Sequence, residues 1–176
     1  MRRLLYIITI FGFAMEISSH VTFTNLKCSV SDKKFMKFEK CYIKAVNRTH
    51  KYIDVHANLY QLPVDNIMIR LRMMRNDHGF KPFFIDMSFD ACKFMKNQKN
   101  PILNLFYGFY KKSSNINHTC PFNHDLIVDH MWTGNMETEV MNYLPIKNGD
   151  YAVFSDWSTN NVLRASLQLY VRVTEN

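Results

Sequence analysis

The chain has 176 residues, of which 47% are hydrophobic, and 22 lysines and arginines outweigh 15 acidic residues to give a formal net charge of +7. This length suits a single domain with a substantial core. No repeat, low-complexity stretch or linker marks an internal boundary. In an intracellular protein, a positive net charge suggests binding to nucleic acid. The N-terminus of this chain indicates a secreted protein instead.

The N-terminus has the pattern of a secretory signal peptide. Arg2 and Arg3 precede an apolar run over residues 4–15, which is shorter than the roughly 20 residues that cross a bilayer. We expect cleavage after Ser19, so that residues 1–19 are the signal peptide and residues 20–176 form one domain. A secreted, extracellular protein is not expected to bind nucleic acid.

Two further features favour secretion. Acceptor sequons for N-glycosylation begin at Asn47 and Asn117. An even set of cysteines follows the predicted cleavage site, as suits an oxidising compartment; these are Cys28, Cys41, Cys92 and Cys120. The lysines between residues 33 and 51 alternate with apolar residues, which favours a solvated strand face. An anionic membrane or glycan surface is the alternative.

Alternation with a period of two dominates the chain and predicts about eight strands. They cover residues 22–30, 37–46, 52–59, 67–74, 82–89, 126–132, 151–157 and 163–173. In the third strand Ile53 and Val55 are predicted to face the core, while Asp54 and His56 face solvent. Because each strand has one apolar face, we expect two packed antiparallel sheets.

A short helical segment interrupts this pattern. Asp90 is a predicted cap for a turn that carries Cys92, and Asn100-Pro101 has the form of a cap followed by a first-turn proline. An apolar stripe at helical spacing then comprises Ile102, Leu105, Phe106 and Phe109. Gly108 in this helix costs about 1 kcal/mol relative to alanine. The excursion lies between Cys92 and Cys120.

The cysteines have three possible pairings. Cys28 and Cys41 flank a bend near residues 32–34, so we favour a bridge between them across adjacent strands and a second bridge between Cys92 and Cys120. No Cys-x-x-Cys pair is present, which favours structural disulfides over zinc.

The other candidates for chemistry have simpler explanations. The spacing of the histidines and the cysteine around residues 118–130 fits no common metal site, so these are interpreted as loop residues; they are His118, Cys120, His124 and His130. Asp86 and Asp90 are a possible carboxylate pair, yet a strand face and a helix cap explain them. With no Gly-x-Ser-x-Gly or His-Glu-x-x-His signature, we expect no enzyme, metal or cofactor. A dispersed triad is the alternative.

Several strings carry a resemblance over nearly the whole secreted part of the chain. They are FTNLKC (23–28), FEKCYIKAVNR (38–48), GFKPFFIDMSFDACKFM (79–95), NPILNLFY (100–107), SNINHTCPF (114–122) and LPIKNGDYAVFSDW (144–157). The chain resembles an insect family of small secreted proteins of unknown function that includes the CheB chemosensory proteins. That family is remotely similar to the ganglioside-activator protein and the ML lipid-recognition fold. The resemblance implies an immunoglobulin-like β-sandwich whose sheets part around an apolar ligand.

We therefore predict a secreted binding protein for a hydrophobic ligand, either a lipid or a hydrocarbon pheromone, with a role in chemosensation or extracellular lipid handling. An extracellular receptor or a membrane surface is a further expected partner. The predicted pocket residues are Phe106, Phe109, Leu105, Phe89, Ile69, Leu71 and Leu167. The alternatives are a receptor-interaction protein with a filled core and a secreted hydrolase.

Overall fold

A computed structural model describes residues 19–47, 51–134 and 146–175. The strands are β1 (Ser19–Val30), β2 (Met36–Ala45), β3 (Lys51–Leu59), β4 (Met68–Asn76), β5 (Phe80–Asp90), β6 (Leu126–Trp132), β7 (Gly149–Thr159) and β8 (Val162–Glu175). Two helices, α1 (Ala91–Asn97) and α2 (Pro101–Lys111), lie between β5 and β6. The predicted all-β sandwich with a helical excursion between Cys92 and Cys120 is confirmed. The predicted signal peptide, apart from Ser19, lies outside the described residues.

The strands form two antiparallel sheets. The larger has the order β1-β8-β7-β4-β5 and the smaller the order β2-β3-β6. Alternation places one face of each sheet against the other, so that Leu71 of β4 and Ile53 of β3 are buried in a shared core. The predicted packing of two sheets is confirmed, because residues on the inner face of either sheet are removed from water by the opposite sheet.

The Cys28–Cys41 disulfide forms, but not across neighbouring strands as we predicted. Cys28 lies in β1, which pairs with β8, and Cys41 lies in β2, which pairs with β3. The bend at residues 31–35 carries the chain from one sheet to the other, so the bridge joins the two sheets at one side of the sandwich. Strand alternation does not distinguish a hairpin from such a crossing.

The helical segment closes the opposite side. α1 contacts the edge strand β5 and α2 contacts the edge strand β6. As predicted, Asp90 accepts a hydrogen bond from the Lys93 N–H, and Asn100 caps α2 with Pro101 in its first turn. Cys92 at the start of α1 bonds to Cys120 just before β6. Both predicted pairings are therefore present, and each joins elements at one side of the sandwich.

The prediction that the Asp54 side chain faces solvent is wrong. Although it lies on the outer face of β3, its side chain is 0% exposed. The β3–β6 register shifts between Ile53 and Val55, and the N–H of His130 in the resulting bulge donates to Asp54 Oδ1 at 3.0 Å. Neighbouring side chains on the outer face therefore cover a residue that alternation alone assigns to water.

Both glycosylation sequons begin at exposed positions. Asn47 is exposed in the bend after β2, and Asn117 is exposed in the connection between α2 and β6. Arg48 and Thr49, which complete the first sequon, lie outside the described residues. An exposed side chain is necessary for a glycan but does not establish one.

We expect protein from a eukaryotic secretory host to carry glycans on both asparagines. Peptide N-glycosidase should lower the mass in two steps, and Asn47→Gln and Asn117→Gln should each remove one step because each change destroys one acceptor. Mass spectrometry of the intact protein measures the result. An unchanged mass after enzyme treatment would contradict both assignments.

Candidate functional site

A cavity of about 280 Å³ lies between the two sheets. Its wall is built by apolar side chains from both sheets and from both helices. An engineered cavity of about 150 Å³ with a similar aliphatic and aromatic lining stays dry and binds benzene. Pockets for larger ligands start at about 300 Å³. The space is therefore sufficient for a small apolar molecule or part of an alkyl chain.

Six of the seven predicted pocket residues lie at this wall. They are Phe89, Ile69, Leu71, Leu167, Phe106 and Phe109. Leu105, the seventh, packs against the core but is not part of the cavity lining. β4, β5, β8 and α2 thus bring together side chains that are far apart in the sequence.

The prediction for Leu105 is wrong because α2 turns a different face to the cavity from the one predicted. The residues that line the cavity at the spacing i, i+3, i+4 and i+7 are Leu103, Phe106, Tyr107 and Tyr110, one position further along than the predicted stripe. Leu103 and Tyr107 are the buried residues of this helix. The predicted stripe omits Tyr107 and Tyr110, although a tyrosine ring buries as much apolar surface as other aromatic side chains.

One charged side chain reaches the wall, and an acidic partner neutralises it. The Arg164 guanidinium donates to the carboxylate of Asp32 and to Thr159 Oγ1, and it lies 4.4 Å from the centre of the Phe35 ring. Burial raises the pKa of Asp32, but hydrogen bonds from the Lys34 N–H and from Arg164 outweigh it, so the pKa lies below its ordinary value. The cavity is therefore apolar, with no unpaired charge among its described lining residues.

The Tyr107 hydroxyl is a polar group in this apolar setting. The side chain is 3% exposed, and its oxygen has no hydrogen-bond partner among the described residues. Burial raises the pKa of Tyr107, and burial together with Tyr107 raises that of Tyr110. Both hydroxyls are therefore neutral donors at physiological pH, and one of them is unused.

The residues that were considered for chemistry do not converge. His118 Nε2 lies 2.8 Å from His124 Nε2, whereas His130 lies on β6 beside Asp54, and Cys120 is in a disulfide. Asp86 forms a two-point ion pair with Arg70 on the outer face of the larger sheet. Asp90 caps α1. These residues therefore have separate roles and are not parts of a single site.

Comparison with known sequences gives a family match over the central part of the chain. No helix in the described ranges combines the length and apolar character needed to cross a membrane. No curated protein matches the chain significantly. One family model, described as a protein of unknown function (DUF1091), matches residues 69–153, from β4 through both helices and β6 into β7. This part of the chain is therefore similar to that family, and it includes the helical segment and much of the cavity wall.

Proposed function

We propose that this protein is a secreted carrier that holds a hydrophobic ligand between its two sheets. The observation behind the proposal is the cavity of about 280 Å³ with its apolar wall. A protein whose sheets serve only as a scaffold for surface loops gains stability by filling such a space, because each empty volume forfeits packing contacts. A ligand that restores those contacts is the simplest reason to keep the space open.

The chemistry of the wall suggests the class of ligand. Transfer of an alkyl chain from water gains about 0.8 kcal/mol per buried methylene. Arg164 is already paired with Asp32, so a ligand carboxylate finds no free cation at that end of the cavity. We infer that a neutral lipid or hydrocarbon binds better than a charged amphiphile of the same length.

The sequence and the disulfides together support an extracellular setting. Two disulfides suit an oxidising compartment, and the N-terminal pattern fits a secretory signal peptide. The resemblance to secreted chemosensory proteins makes a hydrocarbon pheromone one specific candidate. The proposed role is binding and transport with no reaction step, and an extracellular receptor or a membrane surface is the proposed site of ligand transfer.

The experiment is to express the protein in insect cells, purify it without detergent and extract it with organic solvent for mass spectrometry. A stoichiometric apolar compound is the expected result. The delipidated protein should then bind a fluorescent fatty-acid probe saturably, and neutral lipids or hydrocarbons should displace it. An empty extract together with no probe binding would overturn the carrier and favour an interaction protein with a filled core.

Replacement of Tyr107 by phenylalanine tests whether its hydroxyl serves a ligand. The change removes a buried hydroxyl without a partner, so the ligand-free protein should be as stable as the wild type or more stable, by up to about 1–3 kcal/mol. Affinity for a long-chain alcohol should fall by about three- to tenfold, while affinity for the matching alkane stays the same. Probe displacement measures both. An equal loss for the two ligands would show that the hydroxyl makes no specific contact.

A further inference from the structure

Four titratable side chains meet on the outer face of the smaller sheet, on the opposite side from the cavity. Asp54 and His56 are two residues apart on β3, so both point to this face. Asp129 and His130 come from the β6 bulge directly beside Asp54. His130 has a left-handed backbone with a φ of 48°, and its ring stacks on Tyr52 at 4.5 Å. The bulge thus aims two consecutive side chains at the buried carboxylate.

The distances between the donor atoms suit a small metal ion. His130 Nδ1 lies 3.0 Å from Asp129 Oδ1 and 3.5 Å from Asp54 Oδ1. His56 Nε2 lies 3.7 Å from the same Asp129 oxygen. Ligands at 2.0–2.1 Å around a tetrahedral zinc are roughly 3.3 Å apart. The donor atoms of Asp54, Asp129 and His130 all lie within 4.8 Å of one another.

Two of these side chains carry a buried atom that no other described group uses. Asp54 is 0% exposed; its Oδ1 accepts from the His130 N–H, but its Oδ2 has no hydrogen-bond partner in the described part of the chain. His56 Nε2 is buried and equally without a hydrogen-bond partner. A buried carboxylate with an unsatisfied oxygen carries a large desolvation cost. The site therefore combines an unused, buried ligand atom with a cluster of donor atoms.

The two carboxylates of Asp54 and Asp129 lie side by side. The Tyr42 hydroxyl lies beside Asp54, the Lys40 ammonium acts on Asp129, and the Lys44 ammonium lies 6.0 Å from the centre of the Tyr52 ring. A divalent cation satisfies both carboxylates at once.

We propose that Asp54, Asp129 and His130 form a zinc site, with His56 as the adjacent fourth donor. A mixture of imidazole nitrogen and carboxylate oxygen suits Zn²⁺, whereas Ca²⁺ and Mg²⁺ take oxygen ligands in larger number. Asp129 and His130 are exposed on their outer sides, so an ion has a path from solvent. The site does not depend on the proposed ligand cavity.

The chain offers a matched control in the turn between β4 and β5. Asp77 and His78 repeat the Asp-His pair, with a left-handed φ of 52° at the histidine and 3.1 Å between the corresponding Nδ1 and Oδ1 atoms. Their side chains are 96% and 66% exposed for His78 and Asp77, and no buried carboxylate adjoins them. Any zinc affinity of an isolated surface Asp-His pair should therefore appear there too.

The experiment is calorimetric titration of the untagged, chelator-treated protein with zinc chloride, repeated with calcium and magnesium chloride. We expect one zinc ion per chain, weaker or no binding of the other two ions, and a higher melting temperature with zinc. Asp54→Asn and His130→Asn should each lower zinc affinity by more than about tenfold. Asparagine keeps the Oδ1 acceptor at position 54 and tolerates the left-handed backbone at position 130.

His78→Asn and His124→Ala should leave the affinity unchanged, because they alter the control pair and the His118–His124 pair respectively. The proposal is overturned if the wild type binds no zinc, or if binding survives both Asp54→Asn and His130→Asn. Loss of zinc binding in either control variant would place the ion elsewhere and overturn the assignment as well. His56→Ala should weaken zinc binding less than His130→Asn, and a larger effect would refute the ligand order.

Discussion

Replacement of both Cys92 and Cys120 by alanine should lower the free energy of unfolding by about 3–4 kcal/mol. The bridge closes a loop with a sequence separation of 28 residues, against 13 for Cys28–Cys41. The loop-entropy treatment assigns the larger contribution to the longer loop and about 3 kcal/mol to the shorter one. Alanine is preferred to serine because Cys92 is buried.

The structure adds a functional consequence to this loss. Cys92–Cys120 ties the start of α1 to the segment before β6, and both helices contribute to the cavity wall. We therefore expect the double variant to lose probe affinity under conditions where it remains folded. Urea unfolding monitored by tryptophan fluorescence gives the stability, and probe titration gives the binding.

The matched control is the double alanine variant of Cys28 and Cys41. It removes the bond between the sheets on the other side of the sandwich, so stability should fall while probe binding in the folded state changes less. If this control loses more stability than the Cys92/Cys120 variant, the bond between the two sheets contributes more to the free energy of unfolding than the longer closed loop does. Non-reducing peptide mapping of the wild type should recover Cys92 joined to Cys120.

A Phe106→Asp substitution should abolish uptake of the fluorescent fatty-acid probe. Phe106 lines the cavity from α2 and contacts Phe109 edge to face, with ring centres 6.1 Å apart. An unpaired carboxylate at this position faces an apolar space, and its desolvation is strongly unfavourable. Arg164, the one cation among the described residues of the wall, is already bound to Asp32. Binding of a negatively charged or apolar ligand is therefore lost.

The companion change Phe106→Ala separates a container from a packed core. Since one side of this ring faces a void, truncation should cost well below the roughly 3–5 kcal/mol typical of a close-packed phenylalanine, and the enlarged cavity should favour bulkier ligands. Thermal melting and displacement by ligands of graded size measure the two effects. The control is Phe84→Asp: Phe84 is 71% exposed on β5 and lies away from the cavity wall, so probe binding should persist. Two results together would contradict the assignment of Phe106 to the cavity wall: a stability loss of about 5 kcal/mol for Phe106→Ala, and probe uptake by Phe106→Asp equal to that of the wild type.

Local patterns predicted much of this architecture. Alternation located the eight observed strands to within a few residues, because a strand with one buried face must repeat every second residue whatever its neighbour. The caps at Asp90 and Asn100 were also predictable from the sequence, because the free N–H groups of a helix N-terminus bond to a side chain next to them in the sequence. Six of the seven predicted cavity residues followed from the same apolar positions.

The sequence by itself determined the set of strands and the helix caps, and it favoured the observed cysteine pairing among three; the tertiary structure decided how these parts face one another. Nothing local shows that β1 and β2 belong to different sheets, because strand order depends on pairings between distant segments. The rotation of α2 by one position places Tyr107 and Tyr110 at the cavity wall, and it depends on contacts with residues that are distant in the sequence. The β6 bulge brings Asp129 and His130 beside the buried Asp54, and contacts between strands so far apart in sequence are absent from any local pattern.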